Sequence, residues 1–159
     1  MKGRFKLGEV IPVTRKIEHV LSSAGIISLT CGSVRRKKEI IGDIDIVVQG
    51  KMENVIKVLK PLTESTVSGD AKVQHIVVNG IGIDVYTASK KEWGAMVLTL
   101  TGSKDFNIRM RERAKRKGWL LNQYGLWSRR KDGIILASES EEDICEKLGM
   151  KCPPPEYRG

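Results

Sequence analysis

Two aspartates one residue apart, Asp43 and Asp45, stand downstream of a glycine-serine pair in Cys31-Gly32-Ser33-Val34-Arg35-Arg36. Side chains alternate faces along a strand, so the two carboxylates point the same way. Carboxylates sharing a face repel each other unless a cation lies between them. Gly32 and Ser33 open a turn able to present backbone N–H groups to a phosphate, with Arg36 reaching a phosphate oxygen. Asp84 adds a third carboxylate, between apolar Ile83 and Val85, where burial is costly unless it binds something. Metal-holding carboxylates beside a phosphate cradle are the core of a nucleotidyl-transfer site. The bland alternative is solvated carboxylates at strand ends. It is weakest for Asp45 and Asp84, which sit among β-branched residues.

A second informative stretch begins at Asp105. At helical spacing Phe106, Met110 and Ala114 form an apolar stripe, with Asn107, Arg111 and Lys115 on the neighbouring face. From Lys104 to Lys117 there are seven basic and two acidic residues. An amide and a guanidinium on one helical face suit base edges and a DNA backbone. For Lys115 and Lys117 a solvated helix face is the simpler reading.

These residues need elements to position them. Residues 1–9 read as a basic lead-in, and Pro12 as the opening of a helix that runs to Ala24 and ends at Gly25. Strands follow at Ile26–Cys31 and Asp43–Gln49. A helix at Met52–Leu59 is stopped by Pro61. Three short β-rich runs, Glu64–Ser68, Val73–Val78 and Ile81–Tyr86, are separated by the turn signals Gly69-Asp70 and Asn79-Gly80. Lys91–Leu100 reads as an apolar helix. Thr101-Gly102-Ser103 is a break in which Ser103 caps the next helix, Asp105–Lys117. A strand over Leu120–Trp127, a basic turn through Arg129-Arg130-Lys131-Asp132-Gly133, and a return strand Ile134–Ala137 come next. A helix from Ser140, acidic in its first turn, and an extended tail at Pro153-Pro154-Pro155 end the chain. The fold class expected is α+β: a lobe of mixed sheet and helices over residues 1–100, then a small α+β lobe over 101–159.

The chain has 159 residues, with 28 Lys and Arg against 19 Asp and Glu, for a net charge of +9. Such an excess favours a polyanionic partner. Cys31, Cys145 and Cys152 are odd in number and lack CxxC spacing, which favours reduced thiols over disulfides or a zinc site. Neither a secretory signal nor a membrane-spanning run is present, so an intracellular location is expected. His19 and His75 read as structural, and Trp93, Trp119 and Trp127 as core or interface. Trp127, near Tyr124, could also touch a nucleic-acid strand.

Several ordered motifs together resemble the family X DNA polymerases, the group that includes the gap-filling polymerase β. Gly32-Ser33-Val34-Arg35-Arg36 followed by Gly42-Asp43-Ile44-Asp45 is similar to the family's palm motif, and Ile83-Asp84-Val85 to its third catalytic aspartate. Leu100-Thr101-Gly102-Ser103 with Phe106-Asn107 resembles the Phe-Thr-Gly-Ser junction and nucleotide-selecting helix. Leu121-Asn122-Gln123-Tyr124-Gly125-Leu126 and the tail Leu148-Gly149-Met150 to Glu156-Tyr157-Arg158 resemble later family motifs. The likeness runs from about Thr14 and has no counterpart to the family's lyase and helix–hairpin–helix modules. An expected palm-plus-thumb architecture resembles that of the smallest members, known from a large DNA virus.

The resemblance implies a nucleotidyltransferase palm in which Asp43, Asp45 and Asp84 hold two Mg²⁺ ions, with Mn²⁺ as the alternative metal. Asp84 would lie nearest the primer 3′-hydroxyl. Gly32, Ser33, Arg36, Thr99, Leu100, Gly102 and Asn107 would bind the dNTP, and Lys104, Arg111, Lys115 and Tyr124 the DNA. Thr99-Leu100 stand where many relatives carry Tyr-Phe, an aromatic pair that packs near the incoming sugar. The activity implied is DNA-directed DNA synthesis at primer-template or gapped duplex, by a monomer without a membrane partner. A nucleotidyltransferase acting on a small-molecule or protein hydroxyl shares the first motif and is the second reading. A DNA-binding relic is the third, and three intact aspartates argue against it.

Overall fold

A computed structural model of the chain describes residues 3–130 and 133–159. The chain divides into two compact units, Met1–Ala88 and Ser89–Gly159. The expected division at 100/101 therefore differs from the observed one by a helix, which lies with the second unit.

The first unit runs β1 (Phe5–Lys6), α1 (Leu7–Ser23), β2 (Ser28–Thr30), α2 (Gly32–Arg35), β3 (Ile40–Ile41), β4 (Ile44–Val48), α3 (Met52–Leu59), β5 (Ser65–Gly69), β6 (Val73–Val78) and β7 (Ile81–Thr87). Five strands form a mixed sheet in the order β2-β4-β7-β6-β5. Only β4 and β7 run parallel; the other neighbours are antiparallel. Alternation along the strands sends Ile44, Ile46 and Val48, with Ile83 and Val85, into a core under α1 and α3. The helices contribute Val10, Val13, Ile17 and Leu21 from α1, and Met52, Val55 and Leu59 from α3. Their spacing of three and four residues is what one apolar helical face requires.

Two expectations for this unit are corrected. Of the expected lead-in over residues 1–9, residues 1 and 2 lie outside the described residues, and the rest is not loose: β1 pairs with β3, and α1 begins at Leu7, whose N–H donates to the Glu39 carbonyl at 2.9 Å. Pro12 accordingly lies inside α1 rather than at its start, on the exposed side. The Gly32-Ser33 turn is a single helical turn, with Gly32 at φ 58°. The Asn79-Gly80 signal holds: both residues have positive φ, 51° and 74°, as a two-residue hairpin turn of type I′ demands.

The second unit runs α4 (Trp93–Thr101), α5 (Lys104–Arg116), β8 (Trp119–Asn122), β9 (Gly125–Ser128), β10 (Ile135–Ala137) and α6 (Glu141–Lys147). Its core joins Ala95 and Leu98 of α4, Phe106, Met110 and Ala114 of α5, Leu121, Leu126, and Ile144 and Leu148 around α6. The antiparallel sheet has the order β10-β9-β8. One long strand at Leu120–Trp127 was expected; a tight turn at Gln123-Tyr124 splits it. The Asn122 side chain closes that turn, accepting from the Tyr124 and Gly125 N–H groups at 2.9 and 3.2 Å. Lys131 and Asp132 of the expected basic turn lie outside the described residues. Ser103 and Ser140 cap α5 and α6, their hydroxyls accepting from the N–H of Phe106 and Asp143 at 3.2 and 3.1 Å.

The reduced state expected for all three cysteines is overturned at two of them. Cys145 and Cys152 form a disulfide, and Cys31 is buried and free of one. The physical reason is the end of α6. Gly149, at φ 75°, reverses the chain, and the Met150 N–H donates back to the Cys145 carbonyl at 3.0 Å. This C-terminal turn folds Cys152 back onto the helix it has just left. The tail also departs from a simple extended run: Pro155–Tyr157 form a 3₁₀ turn, and Arg158 is buried.

Candidate active site

The three aspartates share the face of the first sheet opposite α1 and α3. Asp45 of β4 stands directly beside Asp84 of β7 in parallel register, flanked by Ile44↔Ile83 and Ile46↔Val85. All four flanking isoleucine and valine side chains are buried, while Asp45 and Asp84 are half-buried. A pair of carboxylates side by side on an apolar sheet is an electrostatic liability that a cation removes.

Two glycines make room for the carboxylates. A Cβ on Gly82 would meet the Asp43 Oδ1 at 2.7 Å, so the Asp43 carboxylate rests against the bare backbone of β7. A Cβ on Gly32 would collide with the Asp45 Oδ2. The expected phosphate cradle and the expected aspartates are therefore packed together. Arg36 ends the α2 turn half-buried; burial lowers its guanidinium pKa, and the Asp45 charge opposes that.

Tyr86 lies two residues beyond Asp84 on the same face. Burial, and then the charges of Asp45, Asp84 and Asp43, push its phenol up to about 12. All three carboxylates thus act on one hydroxyl, which stays protonated and can donate but not compete as an anion. On the other side of Asp84, β6 places His75 directly opposite it, and the His75 Nδ1 pairs with the Asp84 Oδ1.

The remaining expected residues belong to the second unit. Thr99 and Leu100 are half-buried near the end of α4, and Gly102, at φ 66°, breaks the chain before Ser103 through a cis peptide bond. Asn107 is half-buried, and its Nδ2 donates to the Thr99 carbonyl at 2.7 Å. Lys104, Arg111 and Lys115 are exposed on α5. Arg111 and Lys115 line a hollow of about 200 Å³ with Ile108, Leu120 and Arg129, which Asn107 does not line. Tyr124 sits half-buried in the β8–β9 turn.

The family model described as DNA polymerase beta thumb matches residues 96–159. The chain is 29% identical over 163 residues to the DNA polymerase/3′-5′ exonuclease PolX of Bacillus subtilis, which covers 98% of this chain and 28% of that protein. It is 27% identical to DNA polymerase lambda of Rattus norvegicus, over 84% of this chain and 29% of that one. It is 26% identical to a Repair DNA polymerase X of African swine fever virus, over 82% of this chain and 80% of the viral one. These matches liken the chain to the family X polymerases. It spans under a third of the bacterial and rat relatives and most of the viral one.

Family X polymerases generally use divalent metals. Among the described residues, no group of three or more His, Cys, Asp or Glu side chains forms a ready-made metal cage. The donors do fit a hard cation: they are carboxylate oxygens, two in register and a third two residues upstream on the same face. Mg²⁺ is held this way, by one or two carboxylates plus substrate phosphates rather than by an all-protein cage. Among the described residues no helix is long and apolar enough to cross a membrane.

His75 and Tyr86 are the site residues that sequence reasoning missed. Both were within reach. Pairing across the two-residue Asn79-Gly80 turn puts residue 78 opposite 81, and so 75 opposite 84. Period-two alternation puts Tyr86 on the face of Asp84.

Proposed function

We propose that this chain is a DNA-directed DNA polymerase that adds dNMP to a primer 3′-hydroxyl, in short gaps of duplex DNA. The observation that carries the reading is the in-register pair Asp45–Asp84 with Asp43 beside it. The basic, family X second unit supplies a surface that a small acceptor would not need. In this reading the first unit is the palm, and the unit from Ser89 is the thumb, or nucleotide-selecting, lobe.

Asp43, Asp45 and Asp84 hold the metals, two Mg²⁺ ions. Bound there, hard divalent cations make a hydroxyl more acidic and neutralise charge on a triphosphate. Asp84 is the carboxylate that faces the primer hydroxyl. Gly32 and Ser33 offer first-turn amides to the triphosphate, since such amides have no partner within their helix. Arg36 adds a guanidinium that is always charged. Asn107 and Arg111 contact the nascent base pair, and Thr99, Leu100 and Gly102 bound the sugar. Lys104 and Lys115 bind backbone phosphate, which gives affinity that falls with added salt. Tyr124 offers a ring to the DNA.

Single-nucleotide incorporation on one-nucleotide-gapped, recessed and single-stranded DNA, with each dNTP and Mg²⁺, tests the proposal. Template-directed addition at the gap is the expected result. Transfer of a nucleotide to a small-molecule or protein hydroxyl, with no primer extension, would favour the other class of nucleotidyltransferase.

A further inference from the structure

We propose that His75 is a positioning residue that fixes the Asp84 carboxylate for the reaction, an inference that rests on the polymerase reading of the site. The two side chains face each other across the antiparallel β6–β7 pair, and His75 Nδ1 meets Asp84 Oδ1. An ionised carboxylate only accepts hydrogen bonds, so the ring nitrogen must be the donor. The Nδ1–H tautomer is thereby imposed, and Nε2 is left on the outer side of the ring. The side chains are 45% exposed for His75 and 17% for Asp84, so the ring covers the carboxylate from the solvent side.

The consequence lies in rotation. The terminal torsion of an aspartate is broad and two-fold, so the carboxylate alone does not choose which oxygen faces where. One oxygen tied to His75 leaves the other, Oδ2, to point along the shared face toward the neighbouring Asp45 and Asp43. Hydrogen bonds that orient a metal-holding carboxylate are worth about 10–100-fold in metal affinity or activity. β-hairpin register keeps His75 in place without any contact to substrate, so its effect passes through Asp84.

The test pairs His75→Phe with His75→Asn, because the Asn amide can put a donor where Nδ1 stands. His75→Phe is expected to lower kcat for nucleotide addition about 10–100-fold, with KM for dNTP and DNA affinity unchanged and the fold intact by circular dichroism. His75→Asn is expected to recover most of the loss. Independently of catalysis, nitrogen-15 NMR of the metal-free wild type at alkaline pH should show His75 as the Nδ1–H tautomer, reverting to the Nε2–H form in Asp84→Ala, which removes the acceptor. His75→Phe within twofold of wild-type kcat, or an Nε2–H tautomer in the wild type, would overturn the proposal. If wild type adds no nucleotide to any primer, the polymerase reading fails. The tautomer then still decides whether His75 orients Asp84.

Discussion

Gly82→Ala should cripple the site without harming the fold. The backbone at Gly82 is ordinary strand, outside the left-handed region, and Ala is better suited to a strand interior than Gly by about 0.5–1 kcal/mol. The new methyl would lie 2.7 Å from the Asp43 Oδ1, where ordinary contact begins near 3.4 Å. The obstructing atom ends a side chain, so the carboxylate retreats by about 0.7 Å rather than the strand moving. A misplacement of about 1 Å can cost about a hundredfold in rate, so a drop of about ten- to a hundredfold is expected. Gly32→Ala makes the contrast. It displaces Asp45 and also forces Ala into φ 58°, which adds about 1–2 kcal/mol of destabilisation. Single-turnover nucleotide incorporation and thermal melting, run on both variants, read the two effects separately. Gly82→Ala with an unchanged melting temperature and a rate within twofold of wild type would refute the claim that the bare glycine backbone sets the Asp43 position.

Other outcomes follow from the same geometry. Tyr86, raised from an ordinary 10.0 to about 12, should be the last phenol to ionise in a near-ultraviolet titration of the metal-free protein, and Asp45→Asn should lower its pKa. The sign of the linkage is that of a raised acid: its stability contribution is intact below pH 10 and lost as pH climbs toward 12, so Tyr86→Phe should flatten that part of the stability profile. Arg158 is 3% exposed and its Nη1 lies 2.5 Å from the Glu141 Oε2, so Arg158→Met should cost about 3–5 kcal/mol in denaturant unfolding, and Glu141→Met together with Arg158→Met much less. An equal loss in single and double variants would exclude a paired charge. Thr99 and Leu100 offer no ring to a nucleotide sugar, so Leu100→Phe should raise the preference for dNTP over rNTP, read by matched insertion kinetics. An unchanged ratio would place the sugar filter elsewhere.

Local rules made much of this molecule readable before its structure. The hairpin at Asn79-Gly80, the helix Met52–Leu59 and the Ser103 cap each follow from a few neighbouring residues, and each was legible. The aspartates were legible because period-two alternation and unusual residue types coincide at Asp45 and Asp84. The contact of Gly82 with Asp43 was not, because it depends on the parallel register of β4 with β7, strands about 40 residues apart with no turn to set their alignment. The start of α1 was misjudged because its apolar stripe begins at Val10, and the turn before it is held by Glu39, far along the chain. The disulfide depended on the reversal at Gly149, which carries a cysteine back by a tertiary path that residue counts do not reveal.

The claim at the centre of this account is that Asp84 takes part in the chemistry rather than in holding DNA. Asp84→Asn, measured for single-turnover incorporation into a one-nucleotide gap and for binding to the same DNA by fluorescence anisotropy, tests it most directly. Asn keeps the size of the side chain and can still meet His75 while losing the charge. The account predicts a loss of incorporation of about a thousandfold or more, on the order of 4 kcal/mol of transition-state stabilisation, with DNA affinity within a few-fold of wild type. Incorporation within a few-fold of wild type, or a loss explained wholly by weaker DNA binding, would contradict it.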